Sequence, residues 1–185
     1  MQLRAEVERT VGPPDILVNL AGVNASRHFS DLDLAEWRRV LRINLESQYL
    51  MCAAFSPAMI ARGHGRIVNM ASSSVRTNTP GLTAYMASKA GVLGLTSGLA
   101  NDLGPHGITV NAVSPGLTRT EAVDADIVGG RFPEPVYESM AAQRAIPRHA
   151  TVGDLVGTVL FLCSDESAFL TGQFLVADGG ATRSF

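Results

Sequence analysis

Residues 16–22 read ILVNLAG. An apolar, partly β-branched run that ends in a small pair, Ala21-Gly22, is the pattern of a strand buried on both faces of a parallel sheet. The residues before it, MQLRAEVERTVG, read as an amphipathic helix closed by Gly12, with a turn at Pro13-Pro14-Asp15. Two more runs of the same kind follow, RIVNMA at 66–71 and ITVNAV at 108–113, and a last one at Phe174 to Ala177. Between them lie stretches of helical periodicity. One begins near Leu34, capped by Asp31 or Asp33, and continues with interruptions to about Ala61. A second runs from Pro80-Gly81 to about Leu103, where Gly104-Pro105 stops it, and a third covers about Val152 to Cys163. Strands alternating with helices predict an α/β domain with a parallel sheet. Leu117 to Ala150 is long and mixed, broken by Gly129, Gly130, Pro133, Pro135 and Pro147. A connection of that length inside a compact domain suggests a lid.

Composition narrows the function classes. The 185 residues suit one domain with one core, and 46% hydrophobic against 17% charged residues favours a packed globule over disorder. The net charge of -2 has no basic run in it, which speaks against nucleic acid or an anionic membrane as partner. No apolar run is long enough to span a bilayer, and the opening residues do not read as a signal peptide. Cys52 and Cys163 lie far apart in apolar stretches, so two buried, reduced thiols are expected. His28, His64, His106 and His149 are scattered without metal-ligand spacing, and no metal is expected. Asp165-Glu166 and the Asp31/Asp33/Glu36 group read as solvated helix-cap charges. A cytoplasmic enzyme fits these properties.

Tyr85 and Lys89 are four apart on a predicted helix and project from one face. A phenol ordinarily holds its proton to about pH 10; a nearby ammonium favours phenolate and lowers that value. Tyr85 can then exchange a proton with a carbonyl or alcohol oxygen. Ser72, just past the RIVNMA strand, can donate to the same oxygen. Asn44, in the preceding helical stretch, can hold a water that links Lys89 to solvent. Each element also has an ordinary reading. Tyr85 and Lys89 are compatible with a packing pair, Ser72 with a loop hydroxyl like Ser73 and Ser74, and Asn44 with a simple bend.

Taken together, Asn19-Leu20-Ala21-Gly22, Asn44, Ser72, Tyr85-Met86-Ala87-Ser88-Lys89, Pro115-Gly116 and the terminal ADGG closely resemble the short-chain dehydrogenase/reductase family. Their order and spacing agree: twenty-eight residues from Asn44 to Ser72, thirteen to Tyr85 and four to Lys89. The stretch AIPRHATVGDLVG with SDESAFLTGQFLVADGG is similar to 3-oxoacyl carrier-protein reductases and secondary-alcohol dehydrogenases of that family. The resemblance implies a Rossmann-type doubly wound parallel sheet and an NAD- or NADP-dependent exchange between a ketone and a secondary alcohol. It implies Tyr85 as general acid/base, with Lys89 lowering its pKa and binding the nicotinamide ribose. Ser72 would stabilise the substrate oxygen and Asn44 would hold a relay water. Asn19, Ala21 and Gly22 would line the adenosine side of the cofactor cleft. Pro115, Gly116, Thr118 and Thr120 would contact the nicotinamide end, Gly116 letting a flat ring approach the backbone. A small carbonyl or alcohol substrate and a homodimer or homotetramer complete the set.

Two departures stand out. Leu20 replaces the second asparagine usual in the family, and no G-x-x-x-G-x-G phosphate loop occurs in the chain. The sequence aligns from the family's third crossover helix onward, so residues 1–185 are expected to form one incomplete domain lacking the first three strands, with a lid at about 117–150. Met1 then reads as an internal methionine of a longer enzyme, and NAD/NADP preference is not legible. The ILVNL strand would be an unpaired apolar edge, favouring poor solubility or an assembly that hides it. The absent phosphate-binding segment makes a non-catalytic remnant serving as an assembly partner the competing reading. Phe132, Tyr137 and Met140 suit either an apolar substrate pocket or packing within the lid. The small-residue stripe Ala90, Gly94 and Gly98 suits either a subunit interface or packing within the chain.

Overall fold

A computed structural model describes residues 2–24, 26–77, 79–130 and 132–182. Four strands form one parallel sheet in sequential order: β1 (Ile16–Asn19), β2 (Gly65–Met70), β3 (Ile108–Pro115) and β4 (Phe174–Ala177). In-register pairing runs Ile16 to Asn19 against Arg66 to Asn69, and Gly65 to Met70 against Ile108 to Val113. β2 and β3 are buried along almost their whole length, as their unbroken apolar character requires. β1 and β4 are the two edges of the sheet in this structure.

Helices cover both faces. α1 (Gln2–Thr10) leads into β1, and Val7 leans on the first core cluster. Between β1 and β2 run α2 (Leu34–Leu41), a π-helical turn at Arg42–Glu46, and α3 (Ser47–Arg62), continuous with one another. Asp33 starts this rod by accepting a hydrogen bond from the Glu36 amide at 2.8 Å. α4 (Thr83–Leu103) joins β2 to β3. Leu17 and Ile67 from the sheet, Cys52, Phe55 and Met59 from α3, and Ala100 and Leu103 from α4 make the larger core cluster. Val68 and Val113 point to the other face, where Leu162 of α7 (Gly153–Cys163) covers them. That alternation, Ile67 one way and Val68 the other, is what a strand buried between two layers must show.

The segment between β3 and α7 is more ordered than its glycines and prolines suggest. It holds α5 (Glu121–Val128) and α6 (Glu134–Ala142). Thr120 opens α5 by accepting from the Val123 amide, and Pro135 lies in the first turn of α6, where its missing N–H costs nothing. The base of the segment is tied shut: Thr118 bridges Ala150, the Arg119 amide donates to the Ala150 carbonyl at 2.8 Å, and buried Arg144 donates to the carbonyls of Leu117 and Arg148.

Three sequence readings are refined here. Asp165 is not simply a solvated cap; it ion-pairs at 2.8 Å with Arg66, whose side chain is only 5% exposed. Cys52 is buried, its thiol pushed up to about 11 by burial, whereas Cys163 is only half-buried; both are free. Ala90, Gly94 and Gly98 all face outward, and a Cβ built on Gly94 or Gly98 meets nothing within 4 Å, so the stripe does not serve packing within the chain. Among the described residues no helix is long and apolar enough to cross a membrane.

Candidate active site

Parallel strands bring their carboxyl ends to one edge, and the loops leaving them share that edge. Residues 20–24 follow β1, Ser72 follows β2, and Gly116 follows β3. α4 begins beside this edge. One of its faces buries Ala84, Ser88, Lys89, Val92 and Thr96, which places Tyr85 and Lys89 on successive turns over the sheet.

Tyr85 is half-buried, with its phenol beside the Ser72 side chain, whose contact favours the phenolate. The Ser72 hydroxyl also accepts from the Ser74 amide at 3.2 Å, so this serine both shapes its own loop and meets the phenol. Lys89 is 4% exposed; its ammonium donates to the Met70 carbonyl at 2.8 Å and lies 5.7 Å from the centre of the Tyr85 ring. Burial pulls Lys89 down to about 8. Burial also raises the Tyr85 phenol above its ordinary 10, with the Ser72 bond opposing. Removing the phenol from water disfavours the phenolate more than the Ser72 contact favours it.

Asn44 lies in the π-helical turn and is fully buried. Its amide pairs with the backbone of Val23, accepting from the N–H at 2.7 Å and donating to the carbonyl at 3.0 Å, and gives its second hydrogen to Ser88 Oγ at 3.0 Å. Ser88 passes its own proton to the Tyr85 carbonyl at 2.7 Å. Asn44 therefore fastens the loop after β1 to the Tyr85 helix, and only the second lone pair of Oδ1 is left for a water. The π-helical turn is pressed close to α4 at Gly91, where a Cβ would come within 2.6 Å of Leu45. A Cβ built on Gly22 would stand 3.4 Å from Asn44 Oδ1 and 3.5 Å from Lys89 Nζ. The bare backbone of Gly22 thus fits a small polar group, such as a ribose hydroxyl or a water, between those two atoms.

Other expected residues take different places. Asn19 is 5% exposed and points into the sheet, donating to Asn69 Oδ1 at 2.9 Å; its neighbour Leu20 is 63% exposed. Asn19 thus holds β1 against β2 instead of lining a cleft, while Ala21 and Gly22 are open on the surface. Gly116 is small because Asp178 packs on it: a Cβ would stand 2.7 Å from the Asp178 side chain. Pro115 ends β3, and the Thr118 hydroxyl turns back to the Gly116 carbonyl at 3.0 Å. Thr120 is exposed and committed to the start of α5. Tyr137 is 1% exposed, stacked on His149 at 4.4 Å and edge-on to Phe132 at 5.8 Å, so these rings pack against one another within the 117–150 segment.

Ser88 and Gln48 carry bonds that the sequence reading did not assign. Gln48 is 1% exposed, one turn beyond Asn44, and its amide reaches the backbone of both Asn44 and Met70. An amide on an otherwise apolar helix face, four residues after another, is the signal that marks it.

The short-chain dehydrogenase model described as enoyl-(acyl carrier protein) reductase matches residues 1–182, and the chain belongs to the short-chain dehydrogenase/reductase family. It is 36% identical over 176 residues to nodulation protein G of Azospirillum brasilense, covering 95% of this chain and 69% of that protein. It is 38% identical over 177 residues to acetoacetyl-CoA reductase of Rhizobium meliloti, covering 95% and 71%. Gluconate 5-dehydrogenase of Burkholderia cenocepacia, solved with NADP and tartrate, superposes with a TM-score of 0.91 at 33% identity, covering 100% of this chain and 72% of that one.

Proposed function

We propose that this chain carries the proton-transfer site of an NAD- or NADP-dependent oxidoreductase that interconverts a ketone and a secondary alcohol, with Tyr85 as general acid/base. The observation that carries the reading is the Tyr85 phenol, beside Ser72 and one helical turn from buried Lys89, at the carboxyl edge of a parallel sheet. A bound nicotinamide supplies or removes the hydride. In the reducing direction Tyr85, held protonated by burial, gives its proton to the carbonyl oxygen, and Ser72 donates a hydrogen bond to that oxygen as its charge grows. Lys89, with hydrogens to spare beyond the one on Met70, binds the ribose beside Gly22 and stabilises phenolate once Tyr85 has given up its proton. A water on Asn44 Oδ1 returns a proton through Lys89. Ala21 and Gly22 border the adenosine side; Pro115, Gly116 and Thr118 border the nicotinamide side. The segment at about 117–150, tied at its base by Arg144, acts as the lid of a single domain.

The polar site itself argues against a remnant kept only for assembly. A buried ammonium without a carboxylate works against folding, and a scaffold gains stability by losing it. The reading extends to assembly in the cytoplasm as a homodimer or homotetramer. Two separate outward surfaces suit it: the Ala90/Gly94/Gly98 stripe on α4, and Val156 and Leu160 on α7 with Val152 just before it, which are 47 to 63% exposed.

Deuterium transfer tests the reaction. The protein is incubated with a small ketone and NADH or NADPH deuterated at the nicotinamide C4, and the product is examined by mass spectrometry. Deuterium on the carbinol carbon is expected. Deuterium that stays on the nicotinamide, with folded protein and every ketone of the panel unreduced, contradicts the reading.

A further inference from the structure

We propose that Gln48 is a positioning residue for Lys89: its side-chain amide takes the place of a neighbouring strand at Met70 and holds that residue's carbonyl against the lysine ammonium. The inference rests on the reading of Lys89 given above.

β1 pairs with β2 only as far as Asn19 opposite Asn69, and the chain then turns away. Met70, the next residue of β2, would be left with its N–H and C=O facing the side that β1 has vacated. Gln48 fills both. Its Oε1 accepts from the Met70 N–H at 3.3 Å, and its Nε2 donates to the Met70 carbonyl at 3.2 Å. The second hydrogen on Nε2 goes to the Asn44 carbonyl at 2.9 Å, so both donors of the amide are used. The same Met70 carbonyl accepts from Lys89 Nζ at 2.8 Å. Two buried amides one turn apart on the α2–α3 rod therefore grip two backbones. Asn44 grips Val23 beside Gly22, and Gln48 grips Met70 beneath Lys89. Among the described residues no carboxylate is in hydrogen-bond contact with Lys89, and its buried ammonium donates to the Met70 carbonyl. A carbonyl free to tilt weakens that bond and favours the neutral amine.

The sequence makes the test direct, because Lys89 is the single lysine among the 185 residues. Lysine labelled with 13C at Cε gives one resonance, and its titration reads Lys89 alone. Gln48→Met keeps the length and removes every polar contact. The expected result is a Lys89 midpoint lower by about one pH unit. Any decline in reductase kcat that follows Lys89 deprotonation shifts by the same amount, and KM for the ketone is unchanged. If Gln48 only supports the fold, the melting temperature falls and the Lys89 midpoint stays where it was, which overturns the proposal. Should Gln48→Met not fold, the unmodified protein decides: the side-chain amide resonance of Gln48 moves with the Lys89 midpoint, and a static resonance overturns the proposal. The outcome is separable from that for the proposed reaction. Activity retained in Tyr85→Phe refutes Tyr85 as the acid/base without touching the lysine titration, and an unmoved lysine titration refutes Gln48 without touching Tyr85.

Discussion

Replacing Lys89 by methionine should abolish turnover and make the protein more stable. Lys89 is 4% exposed, and among the described residues its ammonium has one acceptor, the Met70 carbonyl. Burial brings it from an ordinary 10.5 to about 8. At about 1.4 kcal/mol for each tenfold change in proton affinity, the charged form opposes folding by about 3 kcal/mol. Methionine fills similar space without a charge, so at pH 7 Lys89→Met is expected to gain about 2–3 kcal/mol. For a domain of this size that is a rise in melting temperature of roughly 5–10 °C. The gain should depend on pH in a definite direction. The folded state releases the proton near 8 and the unfolded chain near 10.5, so the penalty is present in full below pH 8. As pH rises from about 8 to 10.5 the wild type recovers stability that the variant already has, and the gap between them closes. Urea unfolding of both proteins from pH 7 to 10 measures it. A variant less stable than wild type at pH 7, or a gap that does not change with pH, refutes the account of Lys89 as a buried, uncompensated cation.

Gly22→Ala places a methyl at ordinary contact distance from Asn44 Oδ1 and Lys89 Nζ. Stability should change by less than about 0.5 kcal/mol while turnover falls about tenfold or more, as the space for a bridging group is lost; unchanged kcat/KM counts against that use of the space. Because burial holds the Tyr85 phenol above 10, alcohol oxidation should accelerate with pH well past 8 as phenolate becomes available, whereas ketone reduction should be level near neutrality. Parallel pH profiles in the two directions would speak against Tyr85 as the titrating group. Gly94→Arg, on a face of α4 with open space above it, should leave the chain folded and reduce its oligomeric mass in light scattering; an unchanged mass removes the α4 surface as an interface.

The features legible in the sequence are those that local pattern controls. The apolar runs became β1 to β4, the Asp33 cap began α2, and the four-residue step from Tyr85 to Lys89 on α4 put both groups over the sheet edge. Asn19 was legible too, had the strand's period of two been applied: Leu17 points inward, so Asn19 does as well. What escaped depends on contacts between distant residues. Nothing near Gly116 announces Asp178, which fills the space its missing side chain leaves. Thr120 reads as a site residue until the helix it caps is seen, and Pro133 and Pro135 read as breakers although α6 starts on them. The spacing of Tyr85 and Lys89 conveys their proximity but not their burial, and burial dominates both groups. Gln48 matters only because β1 ends one residue too early to serve Met70.

Tyr85→Phe removes one oxygen from the half-buried ring and leaves the fold's packing in place, so it isolates the central claim. Wild type and variant are compared for NADH- and NADPH-dependent reduction of a panel of small ketones, with Lys89 titration as the check that the variant is folded. The expected result is reduction by the wild type and loss of about 100-fold or more in kcat for Tyr85→Phe. Reduction at the wild-type rate by a folded Tyr85→Phe would contradict the assignment of Tyr85 as the proton donor.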